Sequence, residues 1–318
     1  MRVLVTGGGG FVGQHLLPEL LAAGHAVTGG SPDPAPPRQG ALSAEERLRV
    51  QWLPLDVTSD ASVARVVDAV QPEWVFHLAA QSSVGASFTD PLATWEVNAT
   101  GTLRLLEALE RLDLPEVRVL VVSSAEVYGR VPEAEQPIAE TQPLSPATPY
   151  GASKAAAEMA ALQANARGRV SVVITRSFNH FGPGQEENFA LPSFASQLVR
   201  IRRGGGESVL KVGNLEVRRD LLDVRDVVRA YLRLMTDASS GQVYNVCSGE
   251  AHLLSKLVGE LVALSGTGAR IEVDPERFRP VDIPLLAGDP SRIHSLGWRP
   301  EIPLRQTLSD LLEAVESR

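Results

Sequence analysis

The apolar and polar positions along the chain change period in a regular way. Residues 2–6 (RVLVT) form a short apolar run of buried-strand type, and from Phe11 to Leu21 apolar residues recur at helical spacing. Two more strand-like stretches follow (HAVTGG and RVQWLPLDV). Then come a helical pattern, SDASVARVVDAV, with Ser59 or Asp60 as its cap, and the strand WVFHLAA. The alternation continues with a helix at 91–112, a strand at 117–124 (VRVLVVSS), a helix from Pro149 to Arg167 and the strand SVVITRSFN. Strands alternating with helices predict an α/β fold, a parallel sheet wound on both faces. The Pro-rich stretch 31–40 is predicted to be a surface loop, because the rhythm resumes directly after it.

After residue 177 the rhythm breaks. FGPGQEEN reads as loop, FALPSFASQLVRIRRG as helix and KVGNLEVRRDLLDV as extended chain. VRDVVRAYLRLM and QVYNVCSG then read as a helix and strand returning to the main sheet, and two further helices follow in 250–318. The expected division is a cofactor-binding domain at 1–176, with 222–247 returning to it. Residues 177–221 and 248–318 form a smaller C-terminal substrate-binding lobe.

Composition narrows the class. The 44% hydrophobic and 21% charged content of the 318 residues is that of an ordinary globular protein. No apolar run reaches the ~18 residues of a membrane span. A first strand at residue 2 leaves no room for a leader, and a cytoplasmic protein is expected. The net charge of −8 argues against nucleic acid as a partner. Cys247 stands alone and reads as core packing, and no metal site is expected.

The candidate chemistry begins at Gly7-x-x-Gly10-x-x-Gly13, between the first strand and the first helix. Gly7 permits a sharp turn, Gly10 a close approach of backbone to a pyrophosphate, and Gly13 tight packing of helix on sheet. The free N–H groups of a helix start would face the phosphates; a tight turn that binds nothing is the other reading. The second strand ends without the carboxylate that holds the ribose hydroxyls of NAD. Ser31 stands there instead, so NADP(H) is favoured, with NAD(H) as the alternative. Asp56 could lie beside the adenine or simply cap the next helix.

Tyr150 and Lys154, in PYGASKAAAE, lie one turn apart on one helix face. An ammonium so placed lowers the tyrosine pKa and makes it an acid for a carbonyl oxygen that receives hydride at carbon. Four tyrosines and three lysines in 318 residues give only about 0.04 such pairs by chance. Ser124, at the carboxyl end of the strand at 117–124, is the hydroxyl chosen to hold the same oxygen.

With these residues, the sequence resembles the extended short-chain dehydrogenase/reductase family acting on nucleotide sugars. The likeness runs over essentially the whole chain, through TGGGGFVG, HLAAQSSV, NATGT, SSAEVYG, YGASKAAAE, RSFNHFGPGQ, GNLEVRRDLLDVRDVV and RPVDIPLLAGD. It implies a Rossmann-type sheet. Among its branches the chain is most similar to the reductases of GDP-4-keto-6-deoxy-mannose, which make GDP-rhamnose, with GDP-mannose 4,6-dehydratases next. The resemblance implies that Gly7, Gly10, Phe11, Val12 and Gly13 bind pyrophosphate. Asp56 and Val57 would sit at the adenine, Leu78, Ala79 and Ala80 would line the cofactor, and Asn98 would lie below it. Tyr150 and Lys154 would join catalysis to the nicotinamide ribose. Ser83, Asn179, Arg219 and Arg279 would hold the nucleotide sugar, with Lys211 as a neighbour.

The implied reaction is NAD(P)H-dependent reduction at C4 of a GDP-4-keto-6-deoxy-hexose. Dehydration of GDP-mannose remains the alternative, because Glu126 stands where a dehydratase has its base. Ala125 replaces the proton donor found in dTDP-sugar dehydratases. A 4-epimerase is disfavoured by Glu126, and an NADP-sensing regulatory protein by the intact Ser124, Tyr150 and Lys154. A homodimer is expected through a four-helix bundle. It would use Ala156, Ala160 and Ala164 on one helix and Leu103, Leu106 and Leu109 or Leu112 on the helix at 91–112.

Overall fold

The computed structural model describes residues 1–33, 41–112, 116–204, 207–278 and 282–318. Strand β1 (Arg2–Thr6) leads through the glycine turn into α1 (Phe11–Ala22), and β2 (Ala26–Ser31) follows. Next come α2 (Ala44–Arg49), β3 (Gln51–Pro54), α3 (Asp60–Val70) and β4 (Trp74–His77). Helices α4 (Val84–Thr89), α5 (Pro91–Trp95) and α6 (Gly101–Glu110) lead to β5 (Val117–Ser124), α7 (Pro149–Ala166) and β6 (Val170–Ser177). The remainder comprises β7 (Asn179–Phe181), α8 (Ala190–Arg202), β8 (Val209–Val212), β9 (Arg218–Asp223), α9 (Val224–Asp237) and β10 (Val243–Val246). It closes with β11 (Ala251–Leu253), α10 (Leu254–Ser265), β12 (Arg270–Val273), β13 (Leu285–Leu286), α11 (Ser291–Ser295) and α12 (Leu304–Glu316).

Seven parallel strands form the main sheet in the order β10-β6-β5-β4-β1-β2-β3. The order reverses between β1 and β4, which opens a crevice at the carboxyl edge, where open α/β sheets bind ligands. Two apolar cores cover its faces. One gathers Leu16, Leu17, Leu20, Tyr231 and Leu234 from α1 and α9, and the other Val66, Leu105, Leu106, Leu109 and Ala161 from α3, α6 and α7. A separate core, with Phe194, Leu198, Leu257, Leu261, Leu308 and Leu311, joins α8, α10 and α12 beside the small sheets β11-β9-β13 and β12-β8. No helix among the described residues is long and apolar enough to cross a membrane.

Three local departures from the sequence reading have physical causes. Helix α2 has no buried residue, so it leaves no apolar period to read. It is set by a capping box in which Ser43 Oγ accepts from Glu46 N–H and Glu46 Oε2 accepts from Ser43 N–H. The helix at 91–112 is interrupted by a π segment, Glu96–Thr100. That bulge turns Asn98 inward, where its side chain bonds the backbone of Gln81 and Ser153 Oγ. Finally, Leu106, Leu109, Leu112 and Ala164 pack into the chain's own core, whereas Leu92, Trp95, Leu103 and Met159 are exposed. Most of the loop at 31–40 lies outside the described residues.

Candidate active site

The crevice is a cleft of about 590 Å³ that begins at the glycine turn. Gly7 has φ +69°, and a Cβ there would stand 2.8 Å from Ala79 N. A Cβ on Gly13 would stand 2.5 Å from Gly8 O, against backbone that cannot yield. These glycines hold the start of α1 against β2 and β4 and leave the first-turn N–H groups, without partners inside the helix, at the cleft wall. Phe11 and Val12 line it beside them. A nucleotide diphosphate fits such a cradle, since bulk is excluded and fixed donors are presented.

Ser31 and Pro32 line the cleft at the end of β2, and no carboxylate stands at that position. The Ser31 hydroxyl donates to Asp33 O at 2.5 Å, so it must rotate to serve a phosphate. Asp56 also lines the cleft, and its carboxylate accepts from Thr58 N–H at 2.8 Å and Oγ1 at 2.7 Å. Those bonds hold it below the usual carboxylate range. Val57, Leu78, Ala79 and Ala80 complete this wall. Asn98 does not reach the cleft: it is buried behind the Gln81 backbone.

At the inner end, Ser124, Tyr150 and Lys154 converge from β5 and α7. Thr148 caps α7 by accepting from Gly151 N–H at 3.0 Å, which places Tyr150 in the first turn. Burial raises the Tyr150 phenol above its ordinary range, the Ser124 side chain lowers it in part, and the nearby Glu126 carboxylate adds to the rise. Lys154 Nζ donates to Val122 O at 2.8 Å, and burial lowers its pKa to about 8. Contrary to the expectation from helical spacing, the Lys154 ammonium is not among the groups that lower Tyr150. In this state the lysine charge is spent on a backbone carbonyl, and desolvation governs the phenol. Glu126 lines the cleft beside the pair.

A second cavity of about 460 Å³ adjoins the cleft. Asn179, His180, Gln185, Asn188 and Phe189 line both it and the cleft, forming the junction between them. Ser83 lines the cleft while its hydroxyl caps α4. Arg219 lines the second cavity, yet its guanidinium is committed in part to Asp282 at 2.9 Å. Lys211 corrects another expectation. It lies on β8 between inward Leu210 and Val212, so the strand alternation turns it to solvent, and it lines neither cavity. Arg279 lies outside the described residues, and Arg277 is the second arginine lining the cavity. His180 escaped the sequence reading although FNHFGPGQ put it beside Asn179. Its ring stacks on Phe11 at 6.3 Å, which joins the glycine turn to the second cavity.

A family model described as GDP-mannose 4,6 dehydratase matches residues 4–311. The chain is 39% identical to a GDP-6-deoxy-D-mannose reductase of Pseudomonas aeruginosa, over 100% of this chain and 98% of that one. The structure of RMD from Pseudomonas aeruginosa complexed with NADPH is similar, with a TM-score of 0.84 and 35% identity, over 100% of this chain and 99% of that one. The UDP-glucose 4-epimerase of Thermus thermophilus in complex with NAD is similar as well, with a TM-score of 0.85 and 30% identity over 99% of each chain.

Proposed function

We propose that this chain, which belongs to the GDP-mannose 4,6 dehydratase family, is a reductase of the C4 carbonyl of a GDP-linked 4-keto-6-deoxy hexose, with NADPH as cofactor. The observation that carries this reading is the convergence of Ser124, Tyr150 and Lys154 at the inner end of the cleft, which shares a wall with the second cavity. The likeness to the Pseudomonas reductase supports it. Bound along the glycine turn, the cofactor supplies the hydride. Burial keeps Tyr150 protonated, so its proton is available for the C4 oxygen, and a cationic Lys154 beside it would ease the transfer. Ser124 orients that oxygen, and Lys154 leaves the Val122 carbonyl to hold the nicotinamide ribose and balance the phenolate. Asn179, Arg219 and Arg277, which line the second cavity, would receive the nucleotide diphosphate. With NADPH carrying deuterium at both C4 positions, one deuterium is expected at C4 of the product sugar, read by mass spectrometry. Unlabelled product from labelled cofactor counts against the assignment.

Glu126 favours a second reading, dehydration of GDP-mannose, because a carboxylate beside Tyr150 can take the C5 proton. Ala125, between Ser124 and Glu126 at the cleft wall, can donate none.

Cofactor choice follows from Ser31. Wild-type protein is expected to prefer NADPH, and Ser31→Asp to move the NADPH/NADH ratio of kcat/KM toward NADH by ~10–100-fold through like-charge repulsion of the 2′-phosphate. Wild type that already favours NADH contradicts this.

The proposed division assigns 1–176 and 222–247 to the cofactor and 177–221 and 248–318 to the nucleotide sugar. A homodimer and a cytoplasmic setting belong to the same proposal. Leu92 (81% exposed), Trp95, Leu103 and Met159 expose apolar side chains from neighbouring α5, α6 and α7, and a two-fold copy would cover them. Light scattering should give twice the 34.1 kDa chain mass, and Leu103→Arg/Met159→Arg should halve it. A single-chain mass for wild type contradicts the dimer.

A further inference from the structure

Behind the cleft lies a buried ion pair that the proposed chemistry does not use. Glu158 on α7 is fully buried and Arg176 on β6 nearly so. The guanidinium donates from Nη2 to Oε2 at 2.8 Å and from Nε to Oε1 at 3.0 Å. Ser123 Oγ donates to the same Oε1 at 2.5 Å. Arg176 Nη1 also reaches the Tyr128 hydroxyl at 3.1 Å and Glu140 O at 3.0 Å, and Tyr128 donates to Asn245 Oδ1 at 2.7 Å. In the β5–β6 register Arg176 stands opposite Ser123, and Ser177 opposite Ser124. One helix residue is thereby bonded to two adjacent strands, next to the hydroxyl that faces Tyr150.

Burying two charges is costly and repays itself poorly in stability, and fixing a register is its best-attested use. Helix α7 needs such a device. Apart from Glu158 and the Tyr150 and Lys154 that it has to place, its inward residues are Gly151, Ser153, Ala157, Ala161 and Ala164, too small to key the helix against sliding or rotation on the sheet. Tyr150, Lys154 and Glu158 fall at i, i+4 and i+8 on one face, about 6 Å apart along the axis.

We propose that Glu158 is a positioning residue: through Ser123 and Arg176 it sets the register of α7, and so the placement of Tyr150 and Lys154 against Ser124. The roles of those three rest on the reductase reading. The Glu158 charge has a second effect, because it is the carboxylate that resists the burial of Lys154. The other groups facing the ammonium are the Val122 carbonyl on β5, Tyr150 on its own helix, and His77 on β4, which burial keeps neutral with a pKa of about 3. Arg176 stands behind Glu158 on β6, and Glu126 acts on Tyr150.

The test compares Glu158→Gln and Glu158→Asp with wild type, by NADPH fluorescence titration from pH ~6 to ~10 and by steady-state rates. Wild-type affinity should fall as pH rises through about 8, where Lys154 loses its proton. In Glu158→Gln the fall should begin ~1 pH unit lower, since the charged lysine has lost its opposite partner. Its kcat should drop ~10–100-fold from misplacement, with the sugar KM nearly unchanged. Glu158→Asp keeps the charge but is one methylene short, so the pH limb should return while kcat stays low. Should Glu158→Gln not fold with Arg176 unpaired, Glu158→Gln/Arg176→Met removes both charges and carries the same expectations. A wild-type kcat in either single variant, or a fall in kcat of Glu158→Gln with the pH limb unmoved, overturns the proposal. The titration needs no sugar, so a wild type inert toward the keto sugar would count against the reductase reading alone.

Discussion

Tyr150→Phe is expected to bind NADPH as wild type does and to turn over ~10²–10⁴-fold more slowly, the usual worth of a positioned proton donor. The phenol is buried and the ring that packs it is kept, so losing the oxygen disturbs little packing. What is lost is the proton. Because burial raises its pKa, Tyr150 stays protonated through the neutral range, so the proton is in place when the carbonyl arrives. Steady-state rates beside a cofactor titration separate the two effects, and a near-normal turnover removes Tyr150 from the mechanism.

The second large effect is expected at Gly13. In Gly13→Ala the new Cβ would lie 2.5 Å from Gly8 O and 2.7 Å from Gly8 C and Cα. No side chain can move aside there, so α1 has to lift from the glycine turn. Overpacking of this kind costs about 1–3 kcal/mol, and NADPH binding should weaken ~10–100-fold. Gly259→Ala in α10 is the control. Nothing lies within 4 Å of its added Cβ, and its affinity for NADPH should match wild type. Equal affinities in both variants would show that the turn does not cradle the cofactor.

Much of the frame that places these residues is written locally. The change of apolar period between residues 2 and 177 marks β1, β4, β5 and β6, because a strand buried on both faces has to be an apolar run. Thr148 and Pro149 mark the start of α7, and with it the one-turn spacing of Tyr150 and Lys154. Helix α2 carried its capping signal but no apolar face, and the π segment at Glu96–Thr100 has no signature in residue spacing. The remaining gaps are contacts between distant parts of the chain. Arg219 meets Asp282 across 63 residues, which the arginine's own neighbourhood does not announce. Lys154 turns to Val122 O, so the lysine–tyrosine coupling inferred from helical spacing does not operate in this state. Arg176 and Glu158 each look like one charge in a mixed stretch, and only the pairing of β5 with β6 under α7 brings them together.

The most direct test of the reductase reading is a pair of incubations of the purified chain. One contains the 4-keto-6-deoxy derivative of GDP-mannose with NADPH, the other GDP-mannose alone. Stoichiometric oxidation of NADPH in the first, with GDP-mannose untouched in the second, is the result predicted here. Conversion of GDP-mannose to its keto derivative, with no NADPH consumed in the first incubation, would contradict it and make Glu126 the base of a dehydratase.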